Sequence, residues 1–229
     1  MPSPAPSTVD IRPESAPHAR PPPGGLALLD TVASIVTLRR DETLFYEGDS
    51  ADRYYKVVTG AIRSCRLLGD RRRHIGNFFF SENFVSLRAD GAYPFTAEAV
   101  CDATVLRYDR RRVDMLISNS QSVGKYLLAR ACSELYDAHE RMLALGRMTA
   151  QERISSFLLR MAAHGGYETH DCVALPMTLV DIGDHLGLTS ETVCCTLTEF
   201  RRRGFISFPN SHRIRVRRRH ALGKLAEGR

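Results

Sequence analysis

The spacing of hydrophobic positions changes along this chain, and each change predicts a different kind of element. Residues 1–25 have almost no aliphatic patterning and hold eight of the eleven prolines, Pro2, Pro4, Pro6 and Pro21 to Pro23 among them. Proline withholds hydrogen bonds from helix and sheet alike, so a disordered tail ending at Gly24-Gly25 is expected. Such a tail can also serve a proline-reading partner, although no basic PxxP core stands out. Short apolar runs then recur at residues 35–38, 43–46, 54–58, 61–67, 75–80, 95–100 and 104–108. Breaks such as Glu47-Gly48-Asp49 and Thr59-Gly60 separate them. About seven short strands so punctuated predict a barrel or sandwich, whose closure removes exposed edges.

The period lengthens over residues 123–146. Leu128, Ala131, Leu135, Ala138, Met142 and Leu145 stand at steps of 3, 4, 3, 4 and 3, an a/d seam held for about two and a half heptads. A helix packed on its own domain carries a wider stripe. The narrow seam favours pairing with an identical helix, with small Ala131 and Ala138 allowing close approach; packing within one chain is the alternative. Thr149 to Glu152 then reads as a capping box. The helix it opens places Ile154, Phe157, Leu158 and Met161 on one face and is expected to stop at Gly165-Gly166. A new domain is expected to start near Thr149.

Residues 178–203 are the most informative stretch. Thr178 with Asp181 caps a short helix to Leu186, with Leu179, Ile182 and Leu186 inward. Gly187 turns the chain, and Thr189, with Thr192 at N3, caps a second helix buried through Val193, Leu197 and Phe200. Two short helices joined by a glycine-containing turn predict a helix-turn-helix, whose second helix enters the major groove of DNA. Its outward face holds Ser190, Glu191, Cys194, Cys195, Thr198, Arg201 and Arg202. Glu191 suits a cytosine amino group, the favoured reading; the alternative is an acid that serves only the helix dipole of a first turn. Ser190, Cys194 and Cys195 share its base-facing position, while Thr189, Thr198, Arg201 and Arg202 suit phosphate. Beyond Gly204, Ile206 and Phe208, then Ile214 and Val216, alternate with polar positions around Pro209-Asn210-Ser211, predicting a hairpin wing with Arg213 and Arg215 on one side.

Composition changes this picture only in places. The 229 residues, 43% hydrophobic and 25% charged, are those of an ordinary globular protein. No apolar run approaches the roughly 18 residues of a membrane span, and no basic-then-apolar leader opens the chain, so the cytoplasm is the expected location. The net charge of +6 is modest, but residues 200–219 hold eight arginines and no acid. That block is either a solvated tail or an electrostatic footprint for a polyanion; its place on the second helix and wing favours double-stranded DNA. Of six cysteines, none forms a CxxC pair or a zinc-like cluster, so no metal or cofactor is expected. Phosphate-loop, metalloprotease and nucleophile-elbow motifs are absent, which argues against an enzyme. Cys194 and Cys195, near a helix start and several arginines, are candidates for oxidation that would oppose DNA binding, or are inert thiols.

The order of these parts resembles the Crp/Fnr superfamily of transcription regulators from about residue 26 to 225. Asp181-Ile-Gly-Asp-His-Leu-Gly-Leu-Thr-Ser-Glu-Thr-Val193, Leu145-Gly-Arg-Met-Thr-Ala-Gln-Glu-Arg-Ile154 and Tyr93-Pro-Phe-Thr-Ala-Glu-Ala-Val100 are similar to its FixK branch. The resemblance implies an α+β chain: a cyclic-nucleotide-binding-like jelly roll (the β-roll) at 26–118, a dimerisation helix at 119–148 and a winged helix-turn-helix at 149–229. It further implies a homodimer on palindromic TTGA-type sites, activation through contact with RNA polymerase, and target genes of microaerobic or anaerobic respiration, denitrification and nitrogen fixation. Residues 1–64 lack the cysteines of the iron–sulfur branch. Tyr93-Pro94-Phe95-Thr96 lacks the Arg-Ser pair that meets a cyclic nucleotide's phosphate. No obligatory effector is therefore expected. Spacing alone does not exclude a haem, but no residue argues for one, since a lone His74 is more often an ordinary surface or packed histidine. Cys195 stands where the family places a guanine-reading arginine, so the alternative is a ligand- or redox-gated regulator with altered DNA specificity.

Overall fold

The computed structural model describes residues 23–87, 91–164, 172–210 and 213–228. The expected tail therefore lies outside the described residues except at its end, where the expectation is corrected. Helix α1 (Pro23–Asp30) takes in Gly24 and Gly25. Proline is well tolerated at a first helical position, and Leu29 holds the helix down by burial with Tyr108, Val113, Val123 and Tyr126. Asp30 adds two bonds, accepting from the Tyr108 hydroxyl at 2.8 Å and Lys56 Nζ at 3.2 Å.

Eight strands follow: β1 (Ala33–Leu38), β2 (Thr43–Phe45), β3 (Arg53–Thr59), β4 (Ile62–Leu67), β5 (Arg73–Phe79), β6 (Phe84–Ser86), β7 (Thr96–Ala99) and β8 (Ala103–Asp109). They form two antiparallel four-stranded sheets in the orders β1-β8-β3-β6 and β2-β7-β4-β5. Val57 and Val105 of the first sheet and Ile62, Ala97 and Ala99 of the second are fully buried in one cluster. The aromatic rings of Phe45, Tyr55, Tyr93 and Phe95 fill the roll, with Phe45 and Tyr93 stacked at 3.8 Å.

Helix α2 (Arg110–Asn119) starts where Asp109 accepts from the Arg112 amide. Helix α3 (Gln121–Arg147) has 27 residues, a span of about 40 Å. Thr149 and Glu152 form the expected reciprocal cap, with bonds of 3.4 and 2.8 Å. Helix α4 (Ala150–His164) buries Ile154, Phe157, Leu158 and Met161. The expected stop at Gly165-Gly166 lies outside the described residues. The C-terminal part continues with β9 (Cys172–Ala174), α5 (Leu179–Leu186), α6 (Ser190–Arg202), β10 (Ile206–Asn210), β11 (Arg213–Val216) and α7 (Arg219–Ala226). Strands β10-β11-β9 make one sheet. Its core runs without a break into the β-roll, where Ala61, Cys65, Ile75, Phe78 and Val100 join the cluster around Phe157, Ile182 and Phe200. Among the described residues no helix is long and apolar enough to cross a membrane.

Candidate nucleic-acid interface

Two caps and two glycines set the geometry of α5 and α6. The Thr178 hydroxyl accepts from the Asp181 amide at 3.1 Å, and the Asp181 carboxylate accepts from the Thr178 amide, also at 3.1 Å. Gly187 then ends α5 at φ 63°, a left-handed conformation that costs glycine little. Close approach governs Gly183, where a Cβ would stand 2.7 Å from the Leu188 carbonyl oxygen. Thr189 caps α6 through the Thr192 amide at 3.2 Å.

With Val193, Thr196, Leu197 and Phe200 buried, α6 turns a polar face outward. Glu191, Cys194, Cys195, Thr198, Arg201 and Arg202 are exposed there, Thr189 is exposed just ahead of them, and Ser190 is half-buried. Glu191 sits below the usual carboxylate range because its own amide, then the hydroxyls of Thr189 and Ser190, stabilise the anion. Arg201 lies eleven residues beyond Ser190, about 16 Å along the axis. The helix start thus presents an acid, hydroxyls and two thiols, while cations gather at its end. Arg202 holds Glu199 with bonds of 2.9 and 3.0 Å, and Arg203 lies 4.5 Å over the Phe205 ring. Arg213 and Arg215 are exposed on β11, alternating with buried Ile214 and Val216. In the expected wing turn, Ser211 lies outside the described residues.

One inward assignment is corrected. Leu179 is 39% exposed, because the first position of α5 projects past the packed face. It lines a surface groove with Leu175, Met177 and the equally exposed Phe208.

On α3, the seam residues Leu128, Leu135 and Met142 are 65%, 59% and 69% exposed. Ala131 and Leu145 are exposed as well, and Ala138 is half-buried beside the β-roll. Tyr136 and Leu143 extend this apolar surface and escaped the sequence reading because they lie one position off the seam. Between α3 and the roll lies a groove of about 380 Å³ lined by Phe79, Phe84, Phe95, Arg130 and Glu134. Arg130 donates to the Glu82 carbonyl at 2.8 Å. Glu134 accepts from Asn77 and Arg141, yet burial pushes its carboxyl above the usual range.

The sequence reading also missed a polar junction between the two halves. It identified Asp181 only as a cap residue, but its carboxylate meets Arg63 at 3.3 Å and Arg73 at 2.6 Å. Arg73 reaches Asp184 at 2.8 Å as well. Burial opposes the Asp181 charge, but the Thr178 amide and hydroxyl, with Arg63 and Arg73, hold its carboxyl below the usual range. His185 is buried beside it, donating from Nδ1 to the Ile75 carbonyl at 3.0 Å. Partners 108 to 118 residues apart leave no local signal in a sequence.

A short pair of helices set by a tight turn, followed by a basic hairpin, constitutes a winged helix-turn-helix, the architecture of a DNA-binding regulator. Residues 152–225 match the Crp-like helix-turn-helix domain, and residues 35–120 match the cyclic nucleotide-binding domain. The nitrogen fixation regulation protein FixK of Azorhizobium caulinodans is 38% identical over 189 residues, 81% of this chain and 76% of that protein. FixK of Rhizobium meliloti is 32% identical over 191 residues, 83% and 86% of the two chains. The structure of FixK2 from Bradyrhizobium japonicum superposes with a TM-score of 0.80 at 37% identity, covering 85% of this chain and 97% of that one. The chain belongs to the Crp/Fnr family of transcription regulators, with FixK-type activators among its relatives. Those relatives are named as regulators of transcription, not as enzymes.

Proposed function

We propose that the protein acts in the cytoplasm as a homodimeric activator that binds a palindromic TTGA-type site without an obligatory effector. In this reading α3 pairs with a second copy through Leu128, Ala131, Leu135, Ala138, Met142 and Leu145. Each α6 enters a major groove, with half-sites about one turn of DNA apart. Glu191, Ser190, Cys194 and Cys195 meet base edges; Thr189, Thr198, Arg201, Arg202, Arg213 and Arg215 meet phosphates. The observation that carries the reading is the division of α6: one side locked in the core, the other polar and exposed beside a basic wing. Effector independence is supported by the roll interior, filled by Phe45, Tyr55 and Tyr93. Arg130, a cation of the groove, already has the Glu82 carbonyl as partner. The bound protein touches RNA polymerase, and its target genes serve microaerobic or anaerobic respiration or nitrogen fixation, the process named for its relatives. In domain terms, residues 26–118 form the roll, 119–148 the dimer helix and 149–229 the DNA-binding unit.

The test is fluorescence anisotropy of reduced protein on a labelled TTGAT-N4-ATCAA duplex against a scrambled one, without effector. A preference of about 10³ supports this reading. Weak, equal binding to both overturns it.

The exposure of both Cys194 and Cys195 favours a second reading, redox gating with altered site preference. A thiol cannot replace an arginine's paired donors to guanine, and oxidation adds bulk and charge beside phosphate. Peroxide is expected to weaken binding by the wild type and to spare the Cys194→Ser, Cys195→Ser double variant. Equal sensitivity in the two proteins eliminates redox gating. Selection from a random DNA pool shows whether the preferred half-site departs from TTGA.

A further inference from the structure

We infer that Arg63 and Arg73 of the β-roll are positioning residues for DNA recognition, clamping α5 so that α6 is held at one orientation. The inference rests on the function proposed above. Arg73, on β5, donates Nη2 to Asp181 at 2.6 Å and Nε to Asp184 at 2.8 Å, both on α5. Arg63, on β4, donates Nη1 to the same Asp181 at 3.3 Å and anchors itself on Glu98 at 2.9 Å and Asp41 at 3.1 Å. The Arg63 and Asp181 side chains are almost sealed from solvent. One turn on, His185 bonds the β5 backbone at Ile75 and lies edge-on to Phe78.

Asp181 does two things at once. One oxygen accepts from the Thr178 amide and hydroxyl that cap α5, while the other takes Arg73. The start of α5 therefore cannot shift against the roll without disturbing its own cap. Through Gly183 and Gly187, α5 in turn fixes α6. The covalent route between roll and helix-turn-helix runs through α2, α3, α4 and β9, and the apolar core the two halves share is non-directional, so it does not by itself select one angle between them. The arginines add directional bonds that select one angle.

Burying such ions is costly and adds little net stability over an apolar contact, whereas breaking one side leaves a charge stranded. A contact of this kind favours one arrangement over its neighbours. A palindrome needs two recognition helices at fixed spacing; phosphate attraction on random DNA does not.

The test uses the full chain with Arg73→Gln, Arg73→Lys and Asp184→Asn. Arg63→Gln is not the deciding variant, because it leaves buried Asp181 with Arg73 alone, takes the cation from half-buried Glu98 and endangers folding. Arg73→Gln and Asp184→Asn are expected to weaken binding to the TTGAT-N4-ATCAA duplex about tenfold and to leave scrambled-duplex binding unchanged. Hydrogen exchange of the α5 amides should quicken in both. Arg73→Lys, which keeps the charge, should recover most of the loss. Unchanged affinity and exchange overturn the inference. So does tighter binding, which would make the clamp inhibitory, and so does equal loss on both duplexes, which marks a merely structural role. Wild-type protein that cannot tell the duplexes apart overturns the proposed site instead; the exchange arm then still decides whether Arg73 holds α5.

Discussion

His185 places a titratable ring where water does not reach. Burial, then the nearby Arg160, lowers its pKa to about 3, against the pull of the Ile75 carbonyl. The ring is therefore neutral in the folded protein and carries its proton on Nδ1, facing that carbonyl. Unfolding restores an ordinary histidine that takes up a proton below about pH 6.5. The folded pKa is the depressed one, so this contribution to stability is full above that pH and is lost as pH falls towards 3. The slope is at most about 1.4 kcal/mol per pH unit. Urea unfolding at pH 7.5 and 5.5 should show wild type losing about 1.4 kcal/mol more than His185→Gln, which keeps a donor but cannot titrate. Parallel losses would remove His185 as the cause. Two positions earlier, Gly183 is small for a steric reason. A side chain there meets the Leu188 carbonyl, so Gly183→Val should cost about 2 kcal/mol in thermal unfolding and separate α5 from α6. An unchanged melting temperature would show that the turn can yield.

At the scale of elements, the long helix α3 makes the clearest demand. Leu128, Leu135 and Met142 stand in solvent on a single chain, and burying a leucine is worth roughly 1.5–3 kcal/mol. In the homodimer proposed above, a second copy of the same helix would cover them and meet the 3-and-4 spacing. Leu135→Glu should leave circular dichroism unchanged, since the position is exposed within the chain. It should convert dimer to monomer in sedimentation and weaken palindrome binding about a hundredfold as avidity is lost. A variant that still sediments as the wild type does would exclude the seam. Elements like α3 were legible because they repeat their signal: a sustained seam, or the caps of Thr149, Thr178 and Thr189 confirmed by hydrogen bonds. The strands of the roll showed through their breaks. Helices α1, α2 and α7 and strands β6 and β9, of three to ten residues, are too short to display a period, and tertiary contacts make them. The outward face of α6 followed from its buried one. The clamp on Asp181 did not, because a carboxylate that satisfies a local cap gives no hint of two distant arginines.

The whole molecule separates its charge. Outside residues 200–219 the chain holds 24 Lys and Arg against 26 Asp and Glu, so the net +6 resides in one stretch of eight arginines. Part of that stretch is committed within the fold: Arg202 to Glu199, Arg203 over Phe205 and Arg217 to the Ser207 hydroxyl at 3.0 Å. Arg213 and Arg215 project from β11 on the side opposite Ile214 and Val216. A cation that neutralises a phosphate releases a condensed counterion, so the logarithm of affinity falls with the logarithm of salt by roughly 0.9 per contact. In the proposed function the wing arginines approach the backbone rather than base edges, so their loss should be blind to sequence. Arg213→Gln and Arg215→Gln should each reduce the salt slope by about one. Both should weaken palindromic and scrambled duplexes alike and leave the ratio between them intact. Anisotropy titrations across a range of potassium chloride measure slope and ratio together. A variant that lowers the ratio while the slope stays fixed would place that arginine at a base, and would move part of the specificity from α6 to the wing.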